Sequence, residues 1–528
     1  MPLTRRRFLR RGAGSAALAV TSSPLAALFH ARRAQAQDGA YGPLVPDPDR
    51  ILHLPEGFRY TVIQRRGDPM SDGVAVPGLP DGMGAFAGGP GDAPGSIVLM
   101  RNHEVRPGTD AEEAFFVGRP SPAQEALMVD ASAGGGVSRV VVDGTTFAAL
   151  ASNTVLAGTF SNCAGGPSPW GWLTCEENTN VMAAASGDPR APEDWHGFVY
   201  LCRTDATEQV APERIDAYGR FNHEAVAIDA VTNTAYLTED QLDGHFHRFV
   251  PADRAAPFGE GRFQALARRG EMLFDTATME AGDVIEVEWV DIPNATPVGN
   301  DARPGPNDEP RVRAQAVEAG AATVVRGEGC WIEGESGVVY FTATFGGDEL
   351  LGQVFRYIPA DRGDPNAGGQ LECIARPDDR AVMFHPDNIT VAPWGEIFIV
   401  EDSLARCRLL VLNPETGVIS TLAENPASQA ELCGVCFAPE RDDVVFVNLQ
   451  REGLTLAVSG PFARPRVDPS LPPPPDPGTP EDPEDPEDEG GGCGAGNAAV
   501  PGALALGAVA AAGLARRRSA RSPDADEG

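Results

Sequence analysis

Glu224-Ala225-Val226-Ala227-Ile228-Asp229 runs through Thr232-Asn233 into Ala235-Tyr236-Leu237-Thr238-Glu239-Asp240, and Asn388-Ile389-Thr390-Val391-Ala392 runs through Trp394-Gly395 into Ile397-Phe398-Ile399-Val400-Glu401-Asp402. Each is a short apolar run, a turn, and a second run of β-branched and aromatic residues that ends on two acids, the pattern of two antiparallel strands. Looser copies are Gly329-Cys330-Trp331-Ile332 leading to Val338-Val339-Tyr340-Phe341-Thr342, and Gly434-Val435-Cys436-Phe437 leading to Val444-Val445-Phe446-Val447-Asn448. Successive copies begin about 45 to 105 residues apart and long helical periodicity is nearly absent, which suits four-stranded propeller blades carrying insertions. The expected fold is therefore an all-β propeller with long loop insertions over residues 41–462. Its first strands would line a central channel, so polar residues that open each unit would converge there. A β-sandwich needs no such register of acids.

The chain has 528 residues, 42% of them hydrophobic, with 60 Gly and 47 Pro. That is enough for a sizeable core linked by many turns. All 42 basic residues are Arg, which excludes a Walker-type phosphate loop and Schiff-base chemistry, both of which need a Lys. A net charge of −33 argues against nucleic acid as a partner, since that binding draws its affinity from neutralised phosphates. Many carboxylates with little cationic compensation instead suit hard cations such as calcium.

Both ends read as addresses. Thr4-Arg5-Arg6-Arg7-Phe8-Leu9-Arg10, an apolar Gly/Ala/Leu run to Phe29, and Ala34-Gln35-Ala36 resemble a twin-arginine export signal over residues 1–36, which would engage the twin-arginine export machinery. Such export carries folded proteins, which points to a metal or cofactor loaded beforehand. Pro472 to Pro475 and the repeated Glu-Asp-Pro of 481–486 make residues 463–492 a stiff acidic linker. Cys493, the 18-residue apolar run from Ala498 to Ala515, and Arg516-Arg517-Arg518 resemble a MYXO-CTERM sorting tag over 493–518. Cys493 would then be the processing and lipid-attachment point for the sorting machinery; a plain single-span anchor is the other reading. Either implies a cell-envelope or cell-surface protein, anchored or released. The other eight cysteines would permit four disulfides in an oxidising compartment. Cys433-Gly434-Val435-Cys436 is a lone pair without a second, so a four-Cys zinc site is not expected.

The segment densest in chemistry runs from Gly158 to Asn178. Its Gly and Pro put Cys163 on a loop of close backbone approach, and a Trp-rich strand then delivers Glu176 and Glu177. A thiolate beside carboxylates is electrostatically poor unless cations sit between them; the plainer reading is a Cys163–Cys175 disulfide with surface acids. Arg220-Phe221-Asn222-His223-Glu224 and Arg326-Gly327-Glu328 each place a Glu at the front of a repeat unit. His223 reads as a satisfied core histidine. Arg326, two residues before Glu328, would share its face by strand alternation and suits a clamp for phosphate or carboxylate.

Asn162-Cys163-Ala164-Gly165-Gly166, Pro169-Trp170-Gly171, Cys175-Glu176-Glu177-Asn178, Asn222-His223-Glu224-Ala225, Tyr236-Leu237-Thr238-Glu239-Asp240, Asp387-Asn388 and Phe446-Val447-Asn448-Leu449-Gln450 together resemble the PhoX family of secreted bacterial alkaline phosphatases, over roughly Leu44 to Phe462. The resemblance implies a six-bladed propeller whose central iron (two ions) and calcium cofactors hydrolyse phosphate monoesters. It makes Cys163, Glu224 and Glu328 iron ligands, Arg326 the catalytic phosphate-binding residue, and Glu176 or preferably Glu177 a calcium ligand. Asp387, Asn388, Glu401 and Asp402 fall to the remaining metal positions. Asn102-His103-Glu104 resembles an early family motif without an assigned role, and Gly327 stands where the family commonly has Pro. Two other readings are a non-catalytic calcium-binding surface propeller, for adhesion or scaffolding, and a lactonase-type propeller hydrolase. Neither would need Cys163.

Overall fold

The computed structural model describes residues 41–462 except 107–108, 110, 117–119, 180–194, 298–308, 335, 363 and 404–405. The expected signal, linker and sorting segments lie outside the described residues. Among the described residues six four-stranded antiparallel blades make up the architecture, five of them meanders of consecutive strands. Blade I is Pro80–Ala87, Ser96–His103, Gly135–Asp143 and Ala149–Thr159; blade II is Asn162–Ser168, Gly171–Glu176, Val199–Cys202 and Arg214–Ile215. Blade III is His223–Asp229, Thr234–Glu239, Phe246–Pro251 and Gly261–Arg268; blade IV is Gly327–Ile332, Val339–Ala343, Gln353–Pro359 and Gly369–Ala375. Blade V is Pro386–Val391, Ile397–Glu401, Arg408–Leu412 and Ile419–Glu424. Blade VI takes Leu432–Phe437, Val444–Leu449 and Leu454–Ser459, and its outermost strand is Arg59–Arg65 from the other end of the fold, with Leu456 opposite Val62.

The first strands contact one another in order, I to II to III to IV to V to VI and back to I. This closes a ring in which each blade is covered on both faces by its neighbours. Strands buried on both faces carry unbroken apolar runs rather than alternation, which accounts for Ile397-Phe398-Ile399-Val400, Leu409-Leu410-Val411-Leu412 and Val444-Val445-Phe446-Val447, all buried. An apolar wedge fills each junction. Between V and VI, for example, Phe398, Val400, Leu409 and Val411 meet Val445, Val447, Leu456 and Val458, and between VI and I Phe446 and Val444 meet Leu99, Val140 and Val142. Each such side chain contributes about 1.5–3 kcal/mol through burial. Val284–Asp291 pairs with the outer strands of both III and IV and joins them into one nine-stranded sheet.

The eight cysteines of this region are buried thiols, so the disulfides that their even number permitted, Cys163–Cys175 included, are not formed. Cys163 and Cys175 lie on neighbouring strands of blade II, but Cys175 faces the apolar wedge between blades II and III. Cys163 stands at the start of the inner strand, at the channel.

Candidate metal centre

Every inner strand opens with the same irregularity. Pro80 pairs with His103 and Met83 with Arg101, so three steps on the inner strand match two on its partner. The same one-residue bulge recurs at Asn162/Gly165, His223/Val226, Gly327/Cys330, Pro386/Ile389 and Cys433/Cys436. A bulge turns a side chain out of the sheet's alternation. The first residue inside it is Asp81, Cys163, Glu224, Glu328, Asp387 and, in blade VI, Gly434. Five potential ligands are thus aimed from five blades at one place.

Blade VI departs because Gly434 has φ +63° and no room: a Cβ there would lie 2.3 Å from the Asp81 carbonyl oxygen and 2.7 Å from Asn448 Nδ2. The side chains it offers there are Cys433 and Glu431 instead. Among the described residues three sets of potential ligand atoms form, the atoms of each set lying within 4.8 Å of one another: Cys163, Glu177 and Glu224; Glu224, Glu328 and Asp387; Asp81, Glu431 and Cys433. Glu224 belongs to two of them and can bridge.

The second strands deliver the acids that end each unit. Consecutive residues there point opposite ways, so the pairs divide in function. Glu177, Asp240 and Asp402 join Glu104 at the centre, where their charges act on the inner-strand ligands and on one another. Their predecessors hold the scaffold. Glu176 accepts hydrogen bonds from Phe160 N (3.0 Å), His196 Nδ1 (2.6 Å) and Gly197 N (2.9 Å), and Glu401 from Phe384 N (2.8 Å) and from Arg408 Nε and Nη2 (2.8 and 2.6 Å). Glu239 is bound by Arg313 (2.8 Å). The structure therefore places Glu176 and Glu401 outside the ligand groups, with their oxygens taken by the fold, while Cys163, Glu177, Glu224, Glu328 and Asp387 come together. Asn388 supports rather than joins them: its Nδ2 donates to Asp387 Oδ1 (2.7 Å) and its Oδ1 accepts from Gly434 N (2.8 Å).

Arg326 meets Glu328 (2.6 Å), although not by strand alternation. It precedes the strand in the left-handed region, φ +53°, and that turn folds its side chain back over the bulge. Nε and Nη2 donate to the two oxygens of Asp240 (2.7 and 2.8 Å), and the guanidinium carbon sits 4.7 Å from the Phe345 ring centre. The early motif also acquires a role. Asn102 Nδ2 donates to the carbonyls of Cys163 and Ala164 (3.0 and 2.7 Å) while Trp172 Nε1 donates to Asn102 Oδ1 (2.8 Å), which fixes the thiol's backbone. His103 is spent on Gly78 and Ser138. His223 packs against the Phe221 ring and bonds Gly219 O (3.0 Å), and burial pushes its pKa down to about 3, so it is a neutral core histidine.

Burial first, then neighbouring acids, pushes the acidic groups of the centre up: the Cys163 thiol through Glu224 and Glu177, Glu224 through Glu328 and Glu177, and Glu328 to about 8 through Asp240. Carboxylates crowded in this way ionise together only around compensating positive charge. The donor set fits polyvalent cations, a soft thiol on one side and hard carboxylates elsewhere. Beneath the centre the inner strands close to a cavity of about 20 Å³ lined by Gly82, Ala164, Ala225, Gly329 and Val435, room for one water.

Sequence reading missed Asp81, Glu431, Cys433 and the placement of Asp240. Pro80-Asp81-Gly82 matches Pro386-Asp387-Asn388, a signal that a copy-by-copy alignment of the units would have caught. Cys433 and Glu431 carry no such signal, because blade VI breaks the pattern.

No curated protein matches the chain. Among solved structures it resembles PhoX of Pseudomonas fluorescens in complex with vanadate, a transition-state analogue (18% identity, TM-score 0.61, covering 81% of this chain and 98% of that one). More distant are a structural-genomics protein of unknown function from Bacteroides thetaiotaomicron (11%, TM-score 0.38, 76% of each chain) and a gluconolactonase from Xanthomonas campestris (13%, TM-score 0.31, 80% and 98%). The model of the alkaline phosphatase PhoX family matches residues 39–453, well over half of the sequence; this chain belongs to the PhoX family of alkaline phosphatases.

Proposed function

We propose that this phosphomonoesterase works through iron held at the Cys163 side of the centre and calcium held by the all-oxygen donors. The observation that carries the reading is the charge of the well. Asp81, Glu104, Glu177, Glu224, Asp240, Glu328, Asp387, Asp402 and Glu431 act on one another there, and Arg106 and Arg326 are the cations acting on them among the described residues. Nine carboxylates facing two guanidiniums would repel a phosphate ester, so the reading requires bound metal for substrate to enter at all. Cys163 favours a transition metal over calcium alone, which speaks against a purely structural calcium propeller.

Cys163, Glu224, Glu328, Glu177 and Asp387 would hold the ions, with Asp402, Asp81 and Glu431 as further oxygen donors. Bound ions would supply Lewis acidity toward the phosphoryl group and the attacking oxygen. The chain's own contribution is Arg326. Asp240, Glu328 and Phe345 hold its guanidinium rigid, so it can donate to phosphoryl oxygens as charge develops without reorganising. Asn102, Trp172 and Asn388 keep the ligands in place. Water and the monoester yield phosphate and the alcohol.

Export through residues 1–36 in the folded, metal-loaded state and sorting through 493–518 to the cell envelope complete the proposal. The test is the full chain purified after native export, with N-terminal sequencing, elemental analysis and turnover of an aryl phosphate measured on one sample. An N-terminus at Gln37, near two iron per chain, calcium, and turnover are expected. Cys163→Ser should lose iron and at least about 100-fold of the activity, beyond the roughly 10- to 100-fold that losing a mere partner of a ligand typically costs, with its melting curve retained. Calcium without iron and without turnover would favour the non-catalytic propeller.

A further inference from the structure

The two arginines divide the well between them. Burial works against Arg326, but Glu328, Asp240 and Asp402 of blades IV, III and V sustain its charge. Arg106 answers to the other half, Glu104 first and then Glu177 and Glu431, from blades I, II and VI. Arg106 follows the second strand of blade I. Its Nε donates to Glu104 Oε1 (2.6 Å), and Nη2 lies 3.6 Å from Glu177 Oε2. Glu104 is itself oriented by Gln450, whose Nε2 donates to Glu104 and to Asp81 (2.9 Å each). The guanidinium is thus aimed by a chain of contacts from blades VI and I.

The two differ in what they leave open. Arg326 is bound by Asp240 and Glu328, lies against Phe345, and its side chain is 22% exposed; that of Arg106 is 64% exposed, at the mouth of the well. An exposed ion pair contributes little to stability, so holding the fold together is a poor account of a guanidinium positioned so carefully.

We propose that Arg106 is a second substrate-contacting cation, placed across the well from Arg326, that selects dianionic phosphomonoesters over monoanionic diesters. The inference rests on the phosphatase reading and deepens it. A monoester carries two negative charges over three terminal oxygens and a diester one over two. A guanidinium pairs with a charged oxygen edge, so a second guanidinium favours the substrate that offers a second charge.

The test compares the full exported enzyme with Arg106→Ala and Arg106→Lys on 4-nitrophenyl phosphate and bis(4-nitrophenyl) phosphate, with metal content measured on each preparation and inorganic phosphate affinity measured by calorimetry. Arg106→Ala is expected to lose about 10- to 100-fold in kcat/KM on the monoester, the range of a lost charge-assisted contact, and about threefold or less on the diester. Metal content should be unchanged, phosphate should bind about tenfold or more weakly, and Arg106→Lys should recover part of the loss. Equal losses on both esters, or a loss that tracks missing metal, would overturn the proposal by showing that Arg106 only supports Glu104 and Glu177. Inactivity of the wild type on both esters would overturn the phosphatase reading instead. In that case phosphate affinity equal in wild type and Arg106→Ala would overturn the role of Arg106 independently.

Discussion

The acids of one repeat pair look alike in sequence and do opposite things in the fold. Glu176 and Glu177 are adjacent, yet Glu177 faces the ligands while Glu176 is enclosed with His196 and Asp130. Burial lowers the His196 pKa, but Glu176 and then Asp130 outweigh it and raise it to about 9. The unfolded value is near 6.5, so the folded state binds this proton more tightly. The stabilisation, roughly 3 kcal/mol, is complete below about pH 6.5 and is lost as pH rises through about 9. His196→Gln should therefore cost more in thermal unfolding at pH 6 than at pH 9.5; equal costs at both would show that His196 is held by packing alone. Strand periodicity did not say which member of an acid pair turns inward, because that depends on where the inner strand's bulge puts the register; at Glu176-Glu177 the preference for Glu177 came from the family resemblance alone.

That bulge is the element on which the centre is built. Leu79, Ser161, Arg326 and His385 each stand directly before an inner strand with φ between 47° and 55°. Four of the six inner strands are thus approached through a left-handed residue and then bulge, which lifts one side chain per strand toward the axis. The strain of such residues is typically about 1–3 kcal/mol each and persists where the surroundings enforce it. In blade VI the adjustment falls on Gly434 itself. Gly434→Ala would force a Cβ against the Asp81 carbonyl at positive φ, at a cost of about 1–3 kcal/mol. A fall of several degrees in melting temperature is expected, with weakened metal binding at Asp81, Glu431 and Cys433. An unchanged melting curve would mean that blade VI tolerates the shift and that the close approach does not set its register.

At the scale of the molecule, the ring is closed where the first and last described segments meet. Arg59–Arg65 completes blade VI beside Leu454–Ser459, and the Tyr41 hydroxyl donates to Phe462 O (3.2 Å), with Phe58 and Phe462 packed edge to face. Deleting 41–66 should expose the edge beside Leu456 and Val458, both fully buried, and give aggregated or unfolded protein in size exclusion and thermal melts. Removing 463–528 should leave melting unchanged. A native melt from the first deletion would show that three strands suffice in blade VI. Among the described residues no helix is long and apolar enough to cross a membrane.

Apolar runs such as Ile397-Phe398-Ile399-Val400, ended by acids and repeated along the chain, determined the blades and the convergence of their first residues, because both follow from local strand patterning and the closure of edges. Glu224 and Glu328 stood out in the sequence because they open their units, whereas Cys163 and Arg326 stood out only through the motifs that carry the family resemblance. Tertiary structure alone decided that Glu176 and Glu401 serve the scaffold, that Cys433 and Glu431 replace the missing donor at Gly434, and that Arg106 shares the well with Arg326. These depend on a one-residue offset in pairing and on contacts between blades far apart in the chain, and neither is encoded in the spacing within any single unit.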